Sequence, residues 1–369
     1  ACPDCEAFVQ APVPPQVIDK GIPAPGLLAQ VLVAKYGDHL PLYRQEKIFA
    51  RAGVEIARST LADWVGRCGV ALQPLVDSLR ALLHEQGVLH ADETPVAMLS
   101  PGKKKTHRAY VWAYTSTEFS GLNSVVYDFA PSRSGEHLRR FLEGWQGQLV
   151  CDDFAGYKAS FQNGTTEIGC MAHARRKFFE LADLKGNARK GKPAHDISPV
   201  ALEAVARIDA IFDIERGING LTAADRQAAR HQLSRPLVED LQGWLRAERD
   251  RLSKHNPVAK AIDYMFKAER WPAFTRFLED GRVCLTNNAA ERALRGIALG
   301  RKSWLFAGSE RGGDRAAFMY SLIVTAKMND VDPQAWLADV LARLPGTTAS
   351  RVPDLLPWNW KASEPRRAA

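Results

Sequence analysis

Cysteine is scarce and scattered in this 369-residue chain: Cys2, Cys5, Cys68, Cys151, Cys170 and Cys284, with only the first two close together. That spacing excludes the disulfide framework that staples small secreted domains. No apolar run approaches 18 residues, which excludes a membrane-spanning helix, and no internal repeat is evident. The opening ACPDCEAF lacks a basic segment followed by an apolar core, so no signal peptide is expected and the cytoplasm, beside the nucleoid, is the expected compartment. Acidic excess is also missing. The chain has 49 Lys and Arg against 42 Asp and Glu, and the bases gather in HARRKFF, KGNARKGK, RALRGIALGRK and SERGGDR. Such clusters suit a polyanionic partner, although many basic proteins bind no nucleic acid. What is present is ordinary: 46% hydrophobic and 25% charged residues, enough for two or three domains with real cores.

Residues 1–25 read as an extended proline-rich segment, and Cys2 with Cys5 offers two of the four ligands a structural zinc needs. The chain begins without methionine, so a completing ligand pair would have to lie upstream. From Gly26 the period turns helical. GLLAQVLVAKYGD, PLYRQEKIFARAG and RSTLADWVGRC are read as helices, with Ser59 or Thr60 capping the third. The turn at Ala52-Gly53-Val54 suggests a helix-turn-helix presenting Arg58, Ser59, Thr60 and Arg67 to a major groove, and an ordinary helical hairpin is as good a reading. This helical region with its connector helix occupies 26–86.

From Gly87 the period becomes two. GVLHADETPVAML, THRAYVWAYTST and SGLNSVVYDFAPS are three strands, with turns at Pro101-Gly102 and Phe119-Ser120-Gly121. SGEHLRRFLEGWQG is a helix capped by Ser134, GQLVCDDFAGY a fourth strand, and TEIGCMA a fifth leading into the basic helix AHARRKFFELADL. Three consecutive strands followed by alternating helices and strands is the ribonuclease-H-like order. The fold class is therefore α/β, a mixed-sheet core in two parts, 87–184 and 281–345. An all-helical insertion at 185–280 divides them, and a tail covers 346–369.

One stretch then stands out, LTNNAAERALRGIALGRKSW, Leu285 to Trp304. A helix from about Asn287 to Ile297 places Glu291 beside Arg292 and Arg295, with Arg301-Lys302 and Trp304 just beyond. Alone, Glu291 and Arg295 would be a surface ion pair. Two further acids sit at the ends of expected strands, Asp92 in GVLHADET and Asp152 in QLVCDDFAGY, and three acids from three elements can make a metal site. Strand alternation sets Glu93 on the other face from Asp92, and Asp153 is the fallback for Asp152. Carboxylates suit hard Mg²⁺, with Mn²⁺ as substitute, and two such ions can activate an attacking oxygen and stabilise a leaving one in phosphodiester displacement. His173 has a supporting role, and Arg175 and Arg176 on its helix join Arg292, Arg295, Arg301 and Lys302 as phosphate-holding bases. Trp304 either stacks on a base or joins Leu305 and Phe306 in the core, and Asn287 and Asn288 are expected to cap the Glu291 helix.

ADETPV, PSRSGEH, DDFAGY, CMAHARRKFF, TNNAAERALRGIALGRKSWLFAGS, GGDRAA and LLPWNW, in this order, together resemble the transposases of the insertion-sequence-66 family. LLAQVLVAKYGDHLPLYRQEKIFARAGVEIARSTLADW looks like that family's helix-turn-helix region, and CPDC like the second half of its zinc-finger-like element. The resemblance implies a DDE triad at Asp92, Asp152 and Glu291, Mg²⁺-dependent cleavage at element ends, and strand transfer into target DNA. The partners it implies are the terminal inverted repeats and target DNA, a second copy of the chain on DNA, and companion proteins of the same element. Asp153 stands where the family often has glycine, Met171 where it has tryptophan, and Thr286 where an aspartate often precedes the paired asparagines. Two rival readings remain: a catalytically silent DNA-binding protein derived from a mobile element, and a structure-specific nuclease on the same fold.

Overall fold

The sheet is built where the two-residue period predicts it. In the computed structural model, which describes residues 15–19, 21–100, 102, 105–162, 164–182 and 198–360, five strands run β1 (Val88–Ser100), β2 (Lys105–Ser116), β3 (Val125–Ala130), β4 (Gln148–Cys151) and β5 (Thr166–Gly169). Their order is β3-β2-β1-β4-β5. The first three are antiparallel neighbours, while β4 runs parallel to β1 and β5 parallel to β4. This is a mixed sheet with the long β1 at its centre, in the expected strand order. The β2–β3 turn carries Gly121 at φ 73°, the left-handed conformation glycine adopts without a Cβ penalty. Pro101 and the zinc-ligand candidates Cys2 and Cys5 lie outside the described residues.

The parallel step from β3 to β4 passes through α5 (Gly135–Phe141), whose cap Ser134 accepts from the Glu136 amide as expected. No long helix joins β4 to β5; two 3₁₀ turns, Ala155–Tyr157 and Ser160–Gln162, make that link, and α6 (Met171–Ala182) follows β5. On this sheet the inserted helices find their core. Helix α7 (Pro199–Gly217), capped by Ser198, is followed by α8 (Ala223–Ala229), α9 (Arg235–Arg251), α10 (Pro257–Phe266) and α11 (Trp271–Thr275). Ile208, Ile211, Leu241, Leu245, Ile262 and Phe274 from these helices bury themselves with Val88, Val150, Ile168 and Phe178. Between α8 and α9 the helix opens into a π-turn at Arg230–Ser234. Pro236 follows it, has no N–H to give to the preceding turn, and accounts for the widening.

By compactness the chain forms two units: Leu82–Leu299 with Phe306–Glu310, containing the sheet and the insertion, and Ala1–Ala81 with Gly300–Leu305 and Arg311–Ala369. The second holds α1 (Pro25–Tyr36), α2 (Leu42–Arg51) and α3 (Arg58–Ala71), joined to the sheet's chain by α4 (Gln73–His84). Helix α3 starts before the expected caps. Its cap residue is Ala57 and the Arg58 amide is taken by Glu46 Oε1 at 2.8 Å, so neither Ser59 nor Thr60 performs that task.

The late part of the chain is more helical than expected. Helix α12 (Asn288–Trp304) continues through Arg301 and Lys302, which lie in its last turn and not beyond it. Helix α13 (Glu310–Met328) takes Gly312 and Gly313 into its first turn, where a glycine-punctuated loop is expected from the sequence. Leu305 and Phe306 are 66% and 41% exposed, so the apolar run after Trp304 is not core. Helix α14 (Pro333–Arg343) packs on α1, and its buried Trp336 donates Nε1–H to the Leu355 carbonyl at 2.9 Å. No helix among the described residues is long and apolar enough to cross a membrane.

Candidate active site

The parallel β1–β4 register pairs Val88 with Gln148, Leu89 with Leu149 and His90 with Val150. Carried on by two residues, past the end of β4, this register brings Asp152 opposite Asp92. Asp152 lies just past the end of β4, and its Oδ1 accepts from the Phe154 amide at 2.9 Å, fixing the carboxylate in the turn. Its neighbour Asp153 is engaged elsewhere, 3.3 Å from Arg270 and 3.9 Å from Lys158.

Glu291 arrives from the first turn of α12. A cavity of about 590 Å³ is lined by Asp92 and Glu291 together with His173, Arg176, Asn288, Arg292 and Arg295. Asp152 is not part of that lining, yet it lies within electrostatic range of Asp92. Burial, then Glu93, then Asp152 and Glu291 push the Asp92 carboxyl up to about 7. His173 places Nε2 3.8 Å from Glu291 Oε1. Burial and then Arg176 lower its pKa, so the imidazole is neutral near pH 7.

Strand alternation sets Glu93 on the other face from Asp92, yet Glu93 also lines the cavity, with its carboxylate held by two donors. It accepts from Arg133 Nε at 2.6 Å and from the Tyr157 hydroxyl at 3.1 Å, with its side chain 1% exposed. Arg133 also lies 3.9 Å over the Phe154 ring, so the turn holding Asp152 is clamped through its aromatic residues to the strand holding Asp92. Arg133 stands in the PSRSGEH motif, the one signal that could have pointed to it. Asn287 was expected only to cap α12. Its side chain turns instead to β1, where Nδ2 donates to the Ala91 carbonyl at 2.8 Å and Oδ1 lies 3.2 Å from His90 Nδ1.

The remaining candidate bases are dispersed. Arg175 makes a bidentate pair with Asp209 of α7, at 2.6 and 2.8 Å. Arg58 and Ser59 line a different cavity with Lys35, Tyr43 and Glu46, Thr60 is exposed, and Arg67 pairs with Asp63 on its own helix. Arg301 and Lys302 belong to the other compact unit.

Among the described residues no group of three or more His, Cys, Asp or Glu side chains stands close enough to hold a metal ion as it is. The donor chemistry nevertheless fits a hard dication. Asp92 and Glu291 offer carboxylate oxygens, and a cation would offset the repulsion from Glu93, Asp152 and Glu291 that adds to burial in raising Asp92.

In this mixed α/β fold one acid stands on the central strand, a second just past the end of its parallel neighbour and a third on a helix, beside a cavity that Arg176, Arg292 and Arg295 also line. The chain matches the Transposase IS66 family over residues 20–315 and the IS66 C-terminal element over residues 321–358, and it belongs to that family. It is similar to three proteins of Sinorhizobium fredii. The uncharacterized protein y4hP is 46% identical, with 98% of this chain and 66% of that protein covered. The uncharacterized proteins y4jD and y4qI are each 37% identical, covering 100% and 96% of this chain. The chain spans 66%, 72% and 66% of the length of these relatives. A solved structure, the Drosophila P element transposase strand transfer complex, is distantly similar, with a TM-score of 0.48 and 12% identity over 84% of this chain and 93% of that one.

Proposed function

We propose that this chain is the catalytic part of a DNA transposase. Water attacks a phosphodiester at each end of its insertion sequence and frees a 3′-hydroxyl; that hydroxyl then attacks a target phosphodiester, so the element's 3′ end is joined to the target 5′-phosphate and a target 3′-hydroxyl is released. The observation that carries the reading is that Asp92 of β1 and Glu291 of α12 line one cavity, with Asp152, just past the end of the neighbouring parallel strand, close enough to act on Asp92. Membership of the IS66 transposase family supports it. Asp92, Asp152 and Glu291 are the oxygen ligands that would hold Mg²⁺, or Mn²⁺ in its place. When bound, such ions activate an attacking oxygen and stabilise the leaving one.

The other residues bind and orient. Neutral His173 has a supporting place beside Glu291, while Arg176, Arg292 and Arg295 at the cavity hold backbone phosphates without reading sequence. Arg175 steadies α6 on α7 through Asp209. Helices α2 and α3 serve as a helix-turn-helix in which Arg58, Ser59, Thr60 and Arg67 face DNA, and Arg301 and Lys302 add phosphate contacts. The working form is a homo-oligomer on DNA, assisted by companion proteins of the element, beside the nucleoid in the cytoplasm.

The test uses the full chain and DNA carrying the ends of its own element. Asp92→Asn, Asp152→Asn and Glu291→Gln should each lower Mg²⁺-dependent cleavage by more than about a hundredfold while leaving DNA binding in place. Cleavage retained by any of the three removes that residue from the triad. If the unmodified chain binds DNA in a salt-sensitive way but never nicks it in Mn²⁺, the silent DNA-binding reading replaces this one.

A further inference from the structure

Asn287 is 1% exposed and lies at the crossing of three chain segments. Its Nδ2 donates to the carbonyl of Ala91, the residue before Asp92, at 2.8 Å. That bond fixes the amide's orientation, so Oδ1 faces His90 at 3.2 Å as acceptor and His90 Nδ1 carries the hydrogen. The Asn287 backbone N–H points to Cys170 Sγ at 3.3 Å, at the start of the helix that bears His173. Its carbonyl accepts from the amide of Glu291 at 3.1 Å. On either side the same seam continues: two residues before Asn287 the Leu285 carbonyl accepts from the Met171 amide at 2.8 Å, and the next residue, Asn288, lines the acidic cavity.

We propose that Asn287 is a positioning residue, a buried pin that sets the first turn of α12, and so the Glu291 carboxylate, against strand β1 beside Asp92. The assignment rests on the transposase reading for the purpose of that acid pair. A side chain that merely capped a helix would bond its own first-turn amides. This one spends both ends of its amide on the strand, and its backbone ties the helix start to α6. Buried amides of this kind lose little to solvent competition and hold geometry tightly, as the outer partners of metal-ligating carboxylates do.

The experiment measures Mn²⁺ affinity by electron paramagnetic resonance on the full chain, without DNA, alongside DNA-end cleavage. Affinities are compared at a temperature where circular dichroism shows every variant folded. Asn287→Ala should weaken Mn²⁺ binding by about 10- to 100-fold, the usual effect of removing a group that orients a ligand. Asn287→Asp gives the sharper outcome. It adds negative charge near the acids but sets an oxygen against the Ala91 carbonyl, so a pin predicts weaker Mn²⁺ binding, whereas a mere neighbour of the site predicts tighter binding. In a Glu291→Ala background, Asn287→Ala should cause no further loss, because its effect runs through Glu291.

Unchanged or tighter Mn²⁺ binding in either folded Asn287 variant overturns the proposal, and so does a full additional loss in the Glu291→Ala background. The underlying reading fails separately: Glu291→Ala would itself leave Mn²⁺ affinity and cleavage intact.

Discussion

Asp92 sits where burial, Glu93, Asp152 and Glu291 all oppose its charge, and the sign of the consequence can be worked out. In the unfolded chain this carboxyl ionises near 3.8, and in the folded, metal-free chain at about 7. Across that window the folded state keeps a proton that the unfolded state has released, so stability falls as pH rises through it and is level above. Asp92→Asn removes the group that titrates. At about pH 8 in chelator, the variant should be more stable than the unmodified chain by about 1–2 kcal/mol, a figure discounted from the full shift because the side chain is part-exposed to the cavity. The advantage should vanish by about pH 4, as followed by urea denaturation across the range. An advantage that grows toward acid pH would mean Asp92 is not held neutral by its neighbours.

At the scale of elements, much was legible in the sequence because the physical signal was local. Alternation in GVLHADETPVAML and THRAYVWAYTST gave β1 and β2, and threefold and fourfold spacing in the inserted segment gave its helices. The adjacency of β1 and β4 followed from the ribonuclease-H-like order. Contacts made far along the chain were not legible. Asn287 reaches Ala91 across 196 positions, and Glu46 of α2 takes the Arg58 amide at the start of α3 from 12 positions away.

Arg230 is the strongest such case, because nothing in RQAARHQLS marks it as core. It is fully buried in the π-turn, donating to Glu215 at 2.7 Å and to the carbonyls of Phe277, Asp280 and Val283 at 2.7, 3.0 and 2.9 Å. Those carbonyls belong to the segment that leads from the insertion to the Glu291 helix. Arg230→Ala leaves three carbonyls and the Glu215 carboxylate short of a buried donor. It should cost about 3–5 kcal/mol, read as a drop in the denaturation midpoint. A loss below about 1 kcal/mol would show that water or Arg226, which also pairs with Glu215 at 3.1 Å, takes over the role.

For the whole molecule the relevant quantity is charge. A net +7 spread over clusters provides attraction to any polyanion, while the cavity itself combines acids with Arg176, Arg292 and Arg295. On the proposed reading these opposed charges have separable jobs, the acids drawing cations and the bases phosphates. Binding to duplex DNA of unrelated sequence should therefore weaken steeply with salt, each phosphate contact adding about 0.9 to the slope of log affinity against log salt. Replacing Arg292 and Arg295 together by alanine should lower that slope by about 2. Replacing Glu291 by glutamine removes no phosphate contact, so affinity should hold or rise at the same slope. Fluorescence anisotropy over a salt series reads both. A slope that stays unchanged without the two arginines would mean that DNA does not lie across the acidic cavity, and the bases there would then be no more than counter-charges for Asp92 and Glu291.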